Sequence, residues 1–355
     1  MKILNPIIVA TLLVSSAMAI EPIRKEAGWS GFALFGGGYL KYENNEVAGN
    51  RLVDVKDTQI NSYGSAESQT TGIPVLNGVL RYTFKNKKTE IFLGNTLEDY
   101  LRMDAALSLG IRHDFEGVGI LGIRFLASTT PTDVWEDPFL KDQNRHDTER
   151  TSMGLGLKWE RVLDSNFDID IRARRFVFDE DKNGEALNVD RGATGTAGDL
   201  VIPNDNGARY IDNAGQKLLE RDGNMVSIEV LYTWNVNKNN FLIPAVKFTD
   251  DDRKGDSRDN TRTELKLSHL FINQKWLVAS SIYGGKDSFD ENNPIFQKKQ
   301  DTDYLGVGVN ATYKKVFGWK HWSINAGVYA SEGDSDIDFY DTKLLMATLG
   351  AAYSF

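Results

Sequence analysis

Several residue types and patterns are missing from this sequence of 355 residues. It contains no cysteine, which excludes disulfide scaffolds, thiolate metal sites and cysteine nucleophiles. Beyond the N-terminus it has no run of about 18 apolar residues, which excludes a helical membrane protein. Basic residues are also outnumbered, with 41 Lys and Arg against 50 Asp and Glu, and this acidic balance argues against nucleic acid as a partner. A mean hydropathy of −0.37 describes a water-soluble chain, but it does not exclude a β-barrel, which hides its apolar residues in every second position.

The N-terminus has the pattern of a secretory signal peptide. Lys2 precedes an apolar run over residues 7–14. The small residues Ala17 and Ala19 occupy the positions that a signal peptidase recognises before its cleavage site. Cleavage after Ala19 removes one Lys and no acid, so the formal charge changes from −9 to −10. The sequence therefore predicts signal peptide 1–19 and one exported domain, residues 20–355.

From Trp29 onward, apolar and polar residues alternate with a period of two, which predicts strands. Segments of about ten residues suit a strand that crosses a bilayer at a tilt. Fourteen segments qualify, and twelve is the alternative if 89–97 and 241–249 are miscounted. The predicted strands are 29–42, 75–85, 89–97, 103–114, 118–128, 150–161, 167–178, 224–236, 241–249, 261–272, 275–284, 303–315, 322–332 and 342–355.

The connections between these strands alternate in length. Tight turns of Asn, Asp, Gly and Lys follow the even strands, and longer stretches rich in Asp, Asn, Gly and Ser follow most odd ones. Short periplasmic turns with long extracellular loops are typical of outer-membrane barrels. The predicted fold is therefore all-β, a transmembrane antiparallel up-and-down β-barrel. Its predicted loops are 43–74, 98–102, 129–149, 179–223, 250–260, 285–302 and 333–341.

Aromatic residues provide an independent test of this layout. If the short turns lie at one membrane interface, Trp and Tyr should gather beside them as a girdle. They do so at Tyr82, Trp159, Trp234, Trp276 and Trp322. Aromatics enriched in strands for other reasons would scatter along the strand lengths.

One hairpin is specific enough for a prediction of register. A two-residue turn at 273–274 places Phe271 opposite Trp276 and His269 opposite Val278. Within the strand, the odd-numbered residues then share one face of the sheet and the even-numbered residues share the other.

Two resemblances point to bacterial outer-membrane proteins. The last strand alternates and ends in Phe355, which resembles the insertion signal of outer-membrane barrels and implies the barrel assembly machinery as a partner. Four further segments are similar to an uncharacterised family of outer-membrane proteins known only as a domain of unknown function. They are GWSGF at 28–32, LRYTF at 80–84, VWEDPF at 134–139 and DSNF at 164–167. The resemblance covers most of the mature chain and implies no functional residues.

Charged residues at alternate strand positions form a candidate functional site. In strand 167–178, Asp168, Asp170, Arg172 and Arg174 alternate with apolar residues. An Arg facing lipid at mid-bilayer costs about 2–4 kcal/mol, so we expect these side chains to face the interior and to select solutes, as in the eyelet of a porin. The alternative is that the charges pair and hold a plugged barrel rigid. The predicted lumen residues are Arg112, Arg124, Lys158, Glu160, Asp168, Asp170, Arg172, Arg174, Glu229, Glu264 and Lys266.

A second candidate site lies in the loop that follows this strand. Asp179, Asp181, Asn183, Glu185 and Asp190 match the oxygen-ligand spacing of a calcium loop, including a closing acid at position twelve. No helices flank the loop, so this is not a paired EF-hand. The alternative is an acidic loop exposed to solvent.

Enzymatic chemistry has little support. The sequence has four His, and the predicted register places lipid-facing His269 opposite Val278, with Ser280 one pair away and no carboxylate to orient it. His146 lies beside acids in a loop, a cluster too common to indicate a protease. We expect no lipase or protease activity.

Two hypotheses of function remain open. The first is a monomeric outer-membrane channel for small polar or charged solutes, whose mouth is narrowed by loop 179–223. The second is a closed barrel with a structural or surface-binding role, whose acidic loops bind calcium or envelope lipid. Outer-membrane lipid and lipopolysaccharide are expected partners, nucleic acid is not, and a monomer is favoured over a trimer. No cofactor is required apart from calcium in the acidic loop.

Overall fold

The alternating segments form antiparallel strands in the computed structural model, which describes residues 22–99, 103–198, 201–203 and 205–355. The predicted signal peptide lies outside these residues. In chain order, the strands are β1 (Gly28–Glu43), β2 (Val47–Asn50), β3 (Val53–Asp54), β4 (Gln69–Thr83), β5 (Thr89–Asp99), β6 (Asp104–Phe115), β7 (Gly119–Ser128), β8 (Thr132–Trp135), β9 (Asp147–Glu160), β10 (Phe167–Phe178), β11 (Gly223–Tyr232), β12 (Trp234–Asn237), β13 (Asn240–Arg253), β14 (Asn260–Ile272), β15 (Trp276–Phe289), β16 (Thr302–Lys314), β17 (Trp322–Ser335) and β18 (Thr342–Ser354).

Helical structure in the described residues is short. It consists of α1 (Asn213–Lys217) and 3-10 segments, and no helix in these parts of the chain has the length and hydropathy needed to cross a membrane. The 3-10 segments are Val162–Asp164, Glu185–Leu187, Val189–Arg191, Asp256–Arg258, Val316–Gly318 and Asp338–Tyr340.

The sheet closes on itself because its first and last strands pair. β1 pairs with β4 on one side and with β18 on the other, where Phe32 lies opposite Ser354. β11 and β12 are two parts of one barrel strand, since both pair with β13. β2, β3 and β8 belong to the loops, where β2 pairs with β8. Over the described residues the barrel therefore has fourteen antiparallel strands, which confirms the predicted count and excludes twelve.

Short and long connections lie at opposite ends of the barrel. Barrel strands pair antiparallel with their neighbours in the chain, so the tight turns all lie at the end where β1 begins and β18 ends. The turns are 84–88, 116–118, 161–166, 238–239, 273–275 and 315–321. The other end carries the loops 44–68, 129–146, 179–222, 254–259, 290–301 and 336–341. The loop after β5 includes residues 100–102, which lie outside the described residues.

The predicted register of the β14–β15 hairpin is wrong by two residues. His269 lies opposite Ser280, and Phe271 lies opposite Val278. Asn273 explains the shift, because its side-chain oxygen accepts the backbone N–H groups of Lys275 (2.8 Å) and Trp276 (2.6 Å) and so widens the turn. A shift of two leaves every side chain on its predicted face.

The outer face of the barrel is an apolar band bordered by aromatic residues. Along β9, Met153, Leu155 and Leu157 are exposed, and the residues between them face inward. At the turn end, aromatic side chains on neighbouring strands lie directly opposite one another, with ring centroids 4.8–5.2 Å apart. These cross-strand pairs are Trp29–Tyr82, Phe167–Tyr232, Trp276–Tyr313 and Trp322–Tyr353. A continuous apolar band that is bordered by aromatic residues marks a surface in contact with a membrane.

We expect Leu155→Arg to impair folding into lipid. Leu155 is 56% exposed in the middle of the outward band, and an Arg there costs about 2–4 kcal/mol against lipid. The matched control is Leu52→Arg, which changes a loop residue of similar exposure, 51%. Urea unfolding in phospholipid vesicles measures both variants. Equal stability of the two would show that lipid does not cover Leu155.

Candidate functional site in the barrel interior

All eleven predicted lumen residues lie at inward positions of one half of the barrel wall. They belong to β6, β7, β9, β10, β11 and β14, which follow one another around the barrel with β13 between the last two. Seven are buried, and Arg124, Lys158, Glu264 and Lys266 are partly buried. Because a buried charge needs a partner, the question is which residues pair.

Arg112 is the centre of a first group of charges. It contacts Glu90 at 2.8 Å and Glu160 at 3.2 Å, and so it joins strands on both sides of β6. Arg81 lies 3.7 Å from Glu90, and Lys158 lies 4.0 Å from Glu160. Strands β4 to β9 are therefore linked inside the barrel by one run of alternating charge.

A second group continues around the wall toward β14. Asp170 is held by Arg124 at 2.7 Å and by Arg172 at 3.1 Å. Arg172 reaches Glu229 at 3.5 Å, and Lys266 lies 2.9 Å from the same carboxylate. Each acid thus has two cationic partners, an arrangement that offsets the cost of burying charge.

The remaining predicted lumen residues form contacts that are separate from these two groups. Arg174 donates to Asp104 at 2.8 Å and also to the Ser152 hydroxyl, and so it braces β10 against β6. Asp168 accepts the backbone N–H of Arg161 at 2.7 Å. Glu264 accepts the Tyr304 hydroxyl at 3.4 Å.

Three charged members of this network were missed by sequence analysis, namely Arg81, Glu90 and Asp104. Glu90 and Asp104 lie in predicted strands, at the alternate positions that face inward, as their partners do. This alternation could have identified them from the sequence. Their carboxylates complete the pairs of Arg112 and Arg174.

The opposite wall has a different chemistry. Over the described residues of β17 and β18, the inward positions carry no charged side chain. Asn310 and Asn325 exchange hydrogen bonds of 3.2 and 2.6 Å, and Asn325 also donates to Thr312 at 2.9 Å. Tyr283 and Tyr329 stack nearby with their hydroxyls in contact. The interior therefore has one charged wall and one neutral wall, where these polar groups lie beside apolar clusters that include Leu344 and Met346.

Side chains fill much of this interior. Inward residues from different strands, such as Glu90, Leu126, Ile243 and Thr312, are at most 1% exposed. Fourteen strands enclose more space than eight, but at these positions inward side chains occupy it. The lumen is closed to solvent there in this conformation.

Five loops pack together over the mouth of the barrel, and we call this assembly the loop cap. It comprises 44–68, 129–146, 179–222, 290–301 and 336–341. Its centre is a stacked pair, Phe139 and Phe339, with ring centroids 4.6 Å apart. Loop 179–222 therefore covers the mouth as part of a larger structure with its own apolar core. The buried members of that core are Ile60, Tyr63, Phe139, Leu187, Ala208, Ile211, Leu219, Ile295, Phe296, Ile337, Phe339 and Tyr340.

Buried polar groups fix the loops of the cap to one another. Asp137 accepts backbone N–H groups from Phe139 (3.0 Å), Gly184 (3.0 Å) and Ala186 (2.6 Å), which joins two of the loops. Burial raises the pKa of the Asp137 carboxyl, and the three N–H donors oppose this shift. Burial also lowers the pKa of Arg145 to about 10, while its guanidinium donates to backbone carbonyls, including that of Asn45 at 3.3 Å.

The five residues of the predicted calcium loop have other partners. Asp181 binds Arg221 at 2.8 Å, Asn183 donates to the Leu219 carbonyl at 2.9 Å, and Glu185 lies 3.4 Å from Arg191. The other two are Asp190, which accepts the N–H of Asn213 at 2.9 Å, and Asp179, whose own N–H donates to the carbonyl of Glu149 at 3.0 Å. Within the described residues, no group of three or more His, Asp or Glu side chains is placed to hold a metal ion. The structure thus does not bring these ligands together.

His269 has polar neighbours on the outer face. Its Nε2 lies 3.0 Å from the side-chain oxygen of Asn240, and the corrected register places Ser280 directly opposite. No hydrogen bond joins His269 to Ser280 among the described residues. The contact that activates a serine is therefore not formed in this conformation.

A cluster of arginines lies between the loop cap and the lumen. The described residues enclose there a cavity of about 120 Å³. No local pattern in the sequence predicts this cluster, because its side chains come from loops and strand ends that are far apart in the chain. Its arginines are Arg150, Arg221, Arg253, Arg258 and Arg262.

The closed barrel, its outward apolar band and its charged interior are those of an outer-membrane β-barrel protein. The chain belongs to the family described as "Protein of unknown function (DUF2860)", which matches residues 28–194 and 202–354. No curated protein shows a matching sequence.

Solved structures with a similar fold include two outer-membrane proteins. The outer membrane channel DcaP of Acinetobacter baumannii is 9% identical, with a TM-score of 0.43, over 95% of this chain and 100% of that one. A FadL homologue of Pseudomonas aeruginosa is 11% identical, with a TM-score of 0.44, over 95% of this chain and 93% of that one. At these identities and scores, the likeness carries no argument about what this chain does.

We expect Arg174→Gln to destabilise the barrel, because Asp104 would keep a buried charge without this guanidinium. Breaking a buried ion pair from one side costs about 3–5 kcal/mol. Urea unfolding in vesicles, followed by tryptophan fluorescence, measures the loss. The double variant Arg174→Gln with Asp104→Asn should recover most of it. If the effects of the two single changes simply add, the pair does not brace the wall.

Proposed function

We propose that this protein is an outer-membrane channel for small polar or charged solutes, closed in the present conformation by the loop cap. The observation that carries the proposal is the combination of a charged, hydrogen-bonded interior with an apolar cap over one end. For a barrel that serves only as an anchor, buried ion pairs bring little net stability over apolar packing of similar volume. A route for polar solutes does require such a lining.

The membrane location is part of the proposal. The outward apolar band and the aromatic pairs at the turn end support it, as does the N-terminal pattern of a signal peptide. The turn end would face the periplasm and the loop cap the outside. Outer-membrane lipid and lipopolysaccharide, the assembly machinery acting at Phe355, and a monomeric state belong to the same proposal.

Opening would require the loop cap to move as a unit. Its loops share one apolar core, so displacing one of them exposes the buried residues of the others. Charged pairs in the lumen would then exchange partners with a passing solute, because Arg112, Arg172 and Arg174 each already lie near two carboxylates or a carboxylate and a hydroxyl. Arg112, Arg172 and Arg174 with their facing acids would set the selectivity by charge.

A closed barrel is the second candidate function. Its support is the burial of inward side chains such as Glu90 and Thr312, which leaves no solvent at those positions. In that role the cap would be the working part, and it would present loops to lipid, to calcium or to another surface.

Loosening the loop cap should separate the two functions. We expect wild-type protein in planar bilayers to show rare or small conductance steps and Phe139→Ala to show more frequent or larger ones, because removing a buried Phe costs about 3–5 kcal/mol of packing. Phe317→Ala is the matched control, since Phe317 is 83% exposed in a turn at the opposite end.

A second variant is needed because the loop cap of Phe139→Ala could repack around the missing ring and stay closed. In it, residues 185–218 are replaced by a short Gly-Ser linker, and heat-modifiable migration in electrophoresis confirms that the barrel is folded. If the folded wild type, Phe139→Ala and the linker variant all fail to conduct, the channel proposal is overturned and the closed barrel stands.

A further inference from the structure

The sheet closes at β1 and β18, but its wall is interrupted between β4 and β5. These two strands pair only over Val79–Thr83 of β4, although β4 continues to Gln69 and β5 continues to Asp99. Along this stretch β4 keeps its ladder with β1, and β5 keeps its ladder with β6. Within the described residues, segment 72–77 of β4 therefore has no strand paired with it on the side of β5. We call this segment the free edge.

The side chain of Asn95 stands where the ladder between β4 and β5 stops. Its Oδ1 accepts the backbone N–H of Gly78 at 2.9 Å, and its Nδ2 donates to the carbonyl of Leu76 at 3.3 Å. A side chain thus lies between the two backbones and holds them farther apart than a ladder would. Further along, the pairing of β5 with β6 shifts between Leu97 and Asp99, an irregularity of the kind that bends a strand. The two strands therefore diverge from Asn95 toward the loop end of the barrel.

The sequence of β4 opposes pairing along the free edge. Gly78 and Leu76 direct their backbone groups toward β5, so the alternation of a strand directs those of Pro74 the same way. Proline has no N–H to donate to a ladder, and within sheets it is confined to edges, strand starts and bulges. Pro74 equally disfavours the addition of a strand from another protein. The free edge is therefore a feature that the sequence specifies.

The free edge lies within the apolar band, in its loop-side half. Trp29 pairs with Tyr82 at the turn end, and Tyr39 lies ten residues further along β1 and is 46% exposed. Ten tilted strand residues span about 25 Å, which is the height of such a band. Tyr39 lies opposite Gly72, the start of the free edge. At this depth a backbone edge in contact with lipid is costly, and it is tolerated where protein buries it or where it lines a cavity.

Apolar side chains lie on both sides of the free edge. Leu76 belongs to the outward band and is 53% exposed, and its neighbour Val75 faces inward in a buried apolar cluster. Ile73 also faces inward and packs against a second apolar cluster, to which the loop cap contributes Val47 and Val55. The route from lipid past the free edge to the interior is therefore lined by hydrocarbon side chains.

We propose that the free edge is a lateral portal, through which the acyl chain of an amphiphile passes between the lipid and the barrel interior. An apolar route that opens on the lipid-facing band selects a hydrocarbon chain, and a slit along one strand suits a single linear chain. In this conformation the two apolar clusters close the inner side of the portal. Because the loop cap completes one of these clusters, movement of the cap would uncover it. The portal rests on the proposed membrane location and does not require conduction of polar solutes.

Photolabelling of the full-length protein in phosphatidylcholine vesicles tests the portal. Two probes carry a diazirine near the end of an acyl chain, which belongs to free palmitate in one arm and to phosphatidylcholine in the other. We expect at least one probe to label the inward residues Ile73 and Val75, and the two arms decide which source of acyl chain enters. Leu76 is the internal reference, because surrounding lipid reaches it in any case. Phe139→Ala, with its loosened cap, should increase the inward labelling. Labelling confined to outward residues in both arms and in both proteins overturns the proposal.

A variant at Pro74 tests whether the unpaired edge is what admits the chain. Pro74→Val supplies the missing N–H, and one more ladder hydrogen bond should lower the labelling of Ile73 and Val75 about fivefold. Pro244→Val is the matched control, because Pro244 is an exposed residue of β13, a strand that has ladders on both sides. Equal inward labelling of wild type, Pro74→Val and Pro244→Val would show that the acyl chain enters elsewhere and would overturn the free edge as the portal.

The outcomes also separate this inference from the proposed function. Inward labelling without conductance in any capped or uncapped variant would overturn the channel for polar solutes and leave the portal. Conductance without inward labelling would do the reverse. Heat-modifiable migration confirms that each variant is folded before it is compared.

Discussion

The structure depends on one constraint, which is that every backbone N–H and C=O of a membrane strand must be hydrogen-bonded within the sheet. β1 meets this constraint by pairing with both β4 and β18, and that closure gives every strand an inside and an outside. The outer positions then take apolar residues because lipid tolerates nothing else. The inner positions are released from that requirement and carry charged, amide and hydroxyl groups beside apolar clusters. The chemistry of the interior is thus a consequence of closure.

Closure also sorts the connections, and the sorting produces the loop cap. Because neighbouring strands are antiparallel, every second connection lies at the same end of the barrel. Five of the loops at that end are close enough to share an apolar core around Phe139 and Phe339. The strand ends beneath them supply charged side chains, several of which stack on aromatic rings. The cavity lined by arginines forms where these two sets of residues meet. The loop cap, this cavity and the paired charges of the lumen therefore follow one another along the barrel axis.

Much of this arrangement follows from local patterns in the sequence. The strand segments and the alternation of loop lengths predicted fourteen strands, because a period of two and turn residues are properties of neighbouring positions. The parity of Arg112, Arg172 and Arg174 predicted an inward direction for the same reason. The register at residues 273–276 was wrong because a single side-chain hydrogen bond from Asn273 sets the width of the turn. The calcium spacing contains no sign that Arg221, 40 residues away from Asp181, pairs with that carboxylate.

The sequence by itself determined which residues face lipid and which face inward, since a strand alternates sides whatever it pairs with. It also determined at which end the long loops gather, because antiparallel order fixes that from lengths alone. Only the tertiary structure decided which charges pair, as with Arg174 and Asp104, which are 70 positions apart. It alone decided that the loops form one cap and that five scattered arginines share a cavity. These are contacts between distant segments, and their energies depend on distances that no local pattern contains.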